Sequence, residues 1–133
     1  MSIKTKRWTD PIEPDDGLRV LVTRYRPRGV RKEDETWDRW EKRLAPSVEL
    51  LREMKVYPPL PWDEFVLTYS QQMQEPEPAR LMAELAETAR TGNVTLLCYC
   101  EDKNGCHRTI LQALIQHRLD FRRPLPTPPH LAK

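Results

Sequence analysis

The sequence predicts an α/β domain, a three-layer sandwich with a mainly parallel sheet. Two observations carry this prediction. Nearly continuous apolar runs with β-branched residues lie at 19–25 and 94–100, and such runs are typical of strands buried on both faces. Longer segments between and after them repeat apolar residues every three or four positions, as amphipathic helices do. Strands that alternate with helices imply parallel crossover connections and a layered sheet.

The length and composition are those of one small globular domain. A chain of 133 residues with 38% apolar residues can bury one core, and its 32% charged residues suit an exposed surface. We expect the domain to span residues 1–121, with residues 122–133 as a proline-rich tail. No apolar run approaches the roughly 18 residues that span a bilayer, and no apolar segment follows the basic N-terminus. We therefore expect a cytoplasmic protein that does not bind membranes.

The N-terminal part of the chain predicts two strands and a helix. Residues 3–8 alternate β-compatible residues with Lys and Arg, which suits a short edge strand. A loop rich in turn formers covers 10–17, and the second strand, 19–25, ends near Pro27, which breaks it. From Trp37, apolar residues recur at i, i+3 and i+7, which predicts an amphipathic helix.

Capping signals and apolar spacing predict three helices in the middle of the chain. Ser47 is positioned to cap a short helix that runs to Met54. Residues 62–73 carry an apolar stripe with acidic residues in the first turn. Pro78 is suited to open the next helix, and Gly92 stands where that helix needs a C-cap.

The chemically distinctive part of the chain joins the last predicted strand to the last predicted helix. The strand at 94–100 contains Cys98 and Cys100, a polar loop follows, and a helix begins at the Cys-His-Arg segment 106–108. In parallel α/β sheets, ligands bind beyond the carboxyl ends of the strands. The other strong strand ends in segment 24–28, Arg-Tyr-Arg-Pro-Arg. We therefore predict a crevice between these two segments.

These segments resemble motifs of a family of uncharacterised proteins, domain-of-unknown-function family 488. Its members carry Leu-Leu-Cys, a short polar loop that contains Asp, and Cys-His-Arg before an apolar helix; here these motifs stand at 96–98 and 106–108. Three further segments are similar, at 15–22, 26–30 and 44–47. The resemblance covers most of residues 2–118 and implies a Rossmann-like fold and activity on nucleotides or nucleic acid. Many relatives carry an acidic residue at the position of Cys100, which implies that a carboxylate role there is lost or has moved to Glu101.

In one interpretation, the junction between the last strand and helix is a thiol-dependent active site. Cys106 lies at a helix N-terminus, where unpaired N–H groups and the helix dipole favour a thiolate. His107 is suited to carry a proton, Arg108 to bind phosphate, and Gly105 to let the backbone approach an anion. The catalytic candidates are Cys106, His107, Cys100 and Glu101.

Two other interpretations of the cysteines stay open. Cys98 or Cys100, with Cys106 and His107, supplies ligand types that zinc accepts, and Cys100 with Cys106 is also a candidate redox pair. Paired Cys-x2–4-Cys arms are absent, so the sequence favours no cofactor. In the structural interpretation, Cys98 fills a core position and Cys106 and His107 only cap a helix.

The basic segment 24–28 is the second half of the predicted crevice. Arg24, Arg26 and Arg28 flank Tyr25, and arginine forks bind phosphate bidentately while an aromatic ring stacks on a base. The alternative is a solvated basic turn that pairs with the acidic residues at 33–35. Arg24 and Arg28, which lie closest to the end of the strand, are the stronger candidates for an anion site.

The hypothesis from the sequence is that the protein processes or binds a nucleotide, nucleic acid or other phosphorylated ligand in this Cys/His/Arg crevice. The rival hypothesis is a non-catalytic nucleic-acid-binding or interaction module, because basic residues concentrate in the N-terminal and C-terminal thirds of the chain.

Overall fold

One parallel sheet organises the molecule, and the computed structural model describes residues 2–99 and 106–120. Its four strands are β1 (Ile3–Arg7), β2 (Leu18–Leu21), β3 (Arg39–Trp40) and β4 (Val94–Cys98). They lie in the order β1-β4-β2-β3, and every neighbouring pair is parallel. The predicted α/β fold with a parallel sheet is confirmed.

Four helices contribute to one core against one face of the sheet. They are α1 (Val48–Lys55), α2 (Trp62–Gln72), α3 (Pro76–Thr91) and α4 (His107–Asp120). Alternate strand residues, among them Val20, Val94 and Leu96, join helix residues such as Leu85 and Leu111 in this core. Because strand side chains alternate between the two faces, these positions mark the helix-covered face.

Local signals account for where the predicted helices begin. Ser47 Oγ accepts a hydrogen bond from the backbone N–H of Leu50 at 3.1 Å, which confirms its role as the N-cap of α1. Helix α3 begins at Pro76, two residues before the predicted start at Pro78. Gly92 follows α3 as predicted, but its φ of −160° is extended and not left-handed.

The predicted helix from Trp37 is wrong, because this segment contains a strand. Residues Arg39 and Trp40 pair with Val20 and Leu21 as β3, flanked by 3₁₀ turns at 32–34 and 42–44. The indole of Trp37 packs against Leu21 on the sheet face opposite the helices. Tertiary contacts with an open sheet edge thus override the helical spacing of the apolar residues.

Within residues 2–99 and 106–120, the opposite face of the sheet is covered by loops and 3₁₀ turns and not by α-helices. Its small apolar cluster contains Leu21, Trp37 and Leu97, with Trp8 packed edge-on against Trp37. The connections from β1 to β2 and from β2 to β3 contain no α-helix, so α1 to α3 all belong to the connection from β3 to β4. The third layer of the sandwich is therefore thin.

The loop between β1 and β2 is held by a buried ion cluster around Asp16. The Asp16 carboxylate accepts hydrogen bonds from Lys6 Nζ at 2.9 Å, from the backbone N–H of Glu13 at 3.0 Å, and from Arg19. Its backbone carbonyl accepts a further bond from Thr95 Oγ1 at 2.7 Å. These contacts link the loop to β1, β2 and β4.

Some predictions concern residues that the structure does not describe. They are Cys100, Glu101, Gly105 and the tail at 122–133, which all lie outside residues 2–99 and 106–120. Among the described residues, no helix combines the length and the apolar character that crossing a membrane requires.

Candidate functional site

Two cysteines meet where β4 ends and α4 begins. Cys98 is the last residue of β4, and Cys106 immediately precedes the first residue of α4. Their Sγ atoms lie 3.3 Å apart, and the two residues are only 2% and 1% exposed. Cys98 therefore occupies a core position, as the structural interpretation predicts, and it also contacts the second cysteine.

His107 lies beside Cys106 and contacts Val22, the residue that follows β2. Its Nε2 lies 2.6 Å from the backbone carbonyl of Val22, and its Nδ1 lies 4.0 Å from Cys106 Sγ. Because a carbonyl oxygen only accepts, Nε2 carries a proton in this contact. In the neutral ring, the lone pair is then on Nδ1, which faces the thiol of Cys106.

Tyr69 of α2 packs against His107 of this cluster. Its ring meets the imidazole of His107 edge-on, with the ring centroids 5.6 Å apart. Burial, and then the nearby sulfurs of Cys106 and Cys98, raise the pKa of Tyr69 well above its usual value. The hydroxyl therefore stays protonated and donates to the carbonyl of Leu44 at 2.6 Å. The apolar stripe of α2 predicts a core role for Tyr69 but not its contact with His107.

Two arginines beside the carboxyl end of β1 each have a buried Nε atom. Arg108 is 4% exposed, and one of its terminal nitrogens donates to the carbonyl of Lys6 at 2.7 Å. Arg7, at the end of β1, is aligned with Cys98 in the sheet register. Among the residues that the structure describes, the Nε atoms of Arg7 and Arg108 have no hydrogen-bond partner. Sequence reasoning missed Arg7, because only the strand register places it beside β4.

The three arginines of segment 24–28 differ in their surroundings. Arg24 donates to the carbonyls of Ala45 and Pro46, both at 3.2 Å, at the rim of a cavity of about 340 Å³. Arg26 pairs with Glu35 at 2.6 Å, and its guanidinium lies over the ring of Trp37. This contact matches the alternative in which the basic turn pairs with residues 33–35. Arg28 is exposed.

An aromatic surface lies beside Arg28. Tyr99 follows β4 directly, and its hydroxyl donates to the backbone carbonyl of Tyr25. The two tyrosines are 43% and 57% exposed. Burial raises the pKa of Tyr99, whereas a hydrogen bond with Thr23 and the charge of Arg28 act in the opposite direction. The segment after β2 thus contacts the segment after β4 at two points, through Tyr25 and through Val22.

The cysteine–histidine cluster also has donor atoms that a metal accepts. One ligand atom from each of Cys98, Cys106 and His107 lies within 4.8 Å of the others. The contact of His107 Nε2 with the Val22 carbonyl is of the kind that orients metal-bound histidines, which donate their other ring N–H to a carbonyl or carboxylate. These three residues would supply three ligands of a tetrahedral zinc site.

The fold and the cluster define a class: a parallel α/β domain with a buried Cys-Cys-His group at the carboxyl edge of its sheet. Residues 3–119 match the family model described as "Active DUF488-N3 subclade". The chain therefore belongs to the DUF488 family, as its motifs predict.

The relatives found by comparison are themselves uncharacterised. The uncharacterised protein Rv3073c of Mycobacterium tuberculosis is 34% identical over 116 residues, which are 87% of this chain and 95% of the relative. The uncharacterised protein YeaO of Escherichia coli is 33% identical over 115 residues, which are 84% and 94% of the two chains. No solved structure matches the chain.

Proposed function

We propose that the protein is a thiol-dependent enzyme that acts on a nucleotide or a related phosphorylated ligand, with Cys106 as its nucleophile. The observation that carries the proposal is the pairing of Cys106 with His107. The Val22 carbonyl holds the proton on Nε2, so Nδ1, which lies 4.0 Å from Sγ, is the ring nitrogen that would take the thiol proton. The N-terminus of α4 further favours the thiolate.

The buried arginines support an anionic ligand. A desolvated guanidinium is costly unless its N–H groups and its charge are satisfied. Arg108 is 4% exposed and, within the described residues, has no ion-pair partner and an unsatisfied Nε. A phosphate or carboxylate oxygen would satisfy such an Nε. Arg7 is aligned with Cys98 in the sheet, and Arg108 donates to the carbonyl of Lys6, the residue before Arg7.

The exposed tyrosines support a nucleotide over a simple phosphate. Tyr25 and Tyr99 offer aromatic faces on which a base can stack, and Arg28 adds a charge beside them. The description of the matched family model as an active subclade agrees with an enzymatic role. Neither the exposed tyrosines nor the description of the family model depends on the geometry of the thiols.

The test is the pH dependence of Cys106 alkylation by iodoacetamide, read by mass spectrometry of the Cys106 peptide. We expect a midpoint below the ordinary cysteine pKa of about 8.5 in the unaltered protein. His107→Gln keeps a donor for Val22 but removes the base, and should raise the midpoint by about one pH unit. His117→Gln, at an exposed position of the same helix, is the matched control and should leave it unchanged.

Ligand protection completes the test. Adenosine monophosphate should slow Cys106 alkylation, and Arg108→Lys should abolish this protection because lysine lacks the planar fork. Arg31→Lys, at an exposed ion-paired position, is the control.

Equal midpoints near 8.5 in the unaltered protein and in His107→Gln would contradict the proposal. Salt-sensitive oligonucleotide binding that survives Cys106→Ser, without such reactivity, would instead favour the non-catalytic module.

A further inference from the structure

We infer that Cys98 and Cys106 form a peroxide-sensitive pair, in which Cys98 converts the oxidised form of Cys106 into an intramolecular disulfide. This inference depends on the proposed function only in taking Cys106 as the more reactive thiol. It adds a reversible modification site to the cluster. It also gives a chemical role to Cys98, for which the sequence favours a place in the core.

The distance between the two sulfurs carries the inference. The Sγ atoms lie 3.3 Å apart, against about 2 Å in a disulfide. A shift of roughly 1 Å, within reach of side-chain rotation, therefore brings them to bonding distance. The redox pair predicted from the sequence is instead Cys100 with Cys106.

The surroundings of the two sulfurs indicate which cysteine is oxidised first and which one then forms the disulfide. Cys106 lies 4.0 Å from Nδ1 of His107 and immediately precedes helix α4, so we assign it as the thiol that the peroxide oxidises first. Cys98 is the last residue of β4, and its backbone carbonyl accepts a hydrogen bond from Trp8 at 2.9 Å. The sheet thus fixes the second sulfur beside the first, as a resolving cysteine requires.

The reaction balances with a hydroperoxide as the oxidant. The Cys106 thiolate attacks hydrogen peroxide, an S–O bond forms, the O–O bond breaks, and the departing hydroxide takes a proton to become water. Cys98 then attacks the Cys106 sulfur, the S–S bond forms, the S–O bond breaks, and a second water leaves with the Cys98 proton. Two thiols lose two electrons, and one peroxide becomes two waters.

Burial favours an intramolecular partner for the oxidised sulfur. The two cysteines are at most 2% exposed, so Cys98 is closer to Cys106 than any thiol from solution. A sulfenic acid formed at Cys106 has the Cys98 sulfur as an immediate neighbour. We therefore expect the disulfide to form before further oxidation to sulfinic acid.

The experiment treats the full-length protein with hydrogen peroxide and maps cysteine states by mass spectrometry. We expect a mass loss of about 2 Da and a cross-link between the Cys98 and Cys106 peptides, which dithiothreitol reverses. Oxidised protein should lose Cys106 alkylation, and reduction should restore it. Cys98→Ala should instead accumulate a dimedone adduct on Cys106, which marks the unresolved sulfenic acid.

Cys100→Ala supplies the matched control, because it removes the third cysteine of the chain and should leave the Cys98–Cys106 cross-link intact. A cross-link between Cys100 and Cys106 would overturn the inference, as would sulfinic acid at Cys106 in the presence of Cys98. One zinc ion per purified chain that resists chelation and blocks the cross-link would also overturn it.

The cross-link and the alkylation measurements distinguish a failure of this inference from a failure of the proposed function. An absent cross-link leaves the alkylation midpoint and the nucleotide protection of Cys106 unchanged. Conversely, an ordinary alkylation midpoint with no nucleotide protection contradicts the proposed enzymatic function. The cross-link then still tests whether Cys98 and Cys106 form a disulfide.

Discussion

Tyr69 shows how a single core residue also shapes the candidate site. It is fully buried, it packs edge-on against His107, and its hydroxyl satisfies the Leu44 carbonyl. The ring thus supports the imidazole that Val22 holds through Nε2, while the hydroxyl ties α2 to the segment before α1. A residue of this kind contributes to stability and to the geometry of the cluster at once.

Tyr69→Phe should lower the free energy of unfolding by about 1–2 kcal/mol, because a buried carbonyl at Leu44 loses its donor. Chemical denaturation measures this change. Tyr99→Phe is the matched control: its hydroxyl also bonds a backbone carbonyl, but water can replace that bond at a partly exposed site. A Tyr99→Phe variant as destabilised as Tyr69→Phe would contradict the role given to burial.

At the scale of elements, close backbone packing determines where β2 begins. Gly17 has a φ of +64°, and a Cβ at this position would lie 2.0 Å from the carbonyl oxygen of Asn93. The same carbonyl accepts the hydrogen bond from Leu18 N–H, at 2.9 Å, that starts the pairing of β2 with β4. Only glycine fits this position without displacing the start of β4.

Gly17→Ala should therefore destabilise the protein by about 3 kcal/mol, from left-handed backbone strain and from the clash with Asn93. Gly29→Ala isolates the first effect, since Gly29 has a φ of +73° and a Cβ added there would meet nothing within 4 Å. We expect it to cost about 1 kcal/mol. Equal losses for the two variants in urea denaturation would show that the clash with Asn93 contributes nothing.

For the molecule as a whole, the ion cluster around Asp16 joins three strands through one loop. Burial by itself raises the Asp16 pKa, but hydrogen bonds from Lys6, the Glu13 backbone, Lys4 and Arg19 outweigh it. The net effect holds the pKa of Asp16 well below its usual value. The folded state therefore binds this proton more weakly than the unfolded chain does.

The sign of this shift predicts the effect of acid on stability. A lowered folded-state pKa contributes stability above the unfolded value of about 4, and this contribution is lost as the pH falls below it. Asp16→Asn should cost about 3–5 kcal/mol at pH 7, because Arg19 stays buried without a counter-ion. The variant should also weaken the loss of stability below about pH 4. Denaturation measured as a function of pH tests both expectations. A loss of stability in acid as steep as that of the unaltered protein would contradict the role given to Asp16.

Local signals in the sequence are sufficient to predict several elements of the fold. Ser47 caps α1 through its own side chain, and β4 is recognisable because a run of apolar residues suits a central strand. The Cys-His-Arg motif at the start of α4, together with the motifs before it, was sufficient to identify the family. The placement of the candidate crevice at the carboxyl ends of strands follows from the parallel topology that these signals predict.

Which side chains contact one another depends on packing in three dimensions. The spacing of Trp37 and Trp40 is helical, yet an open sheet edge beside β2 draws this segment into β3. Strand register aligns Arg7 with Cys98, and helix packing brings Tyr69 against His107; neither leaves a mark in the local sequence. Cys98 meets Cys106 for the same reason, because side chains on different elements come into contact only when the sheet and the helices pack together.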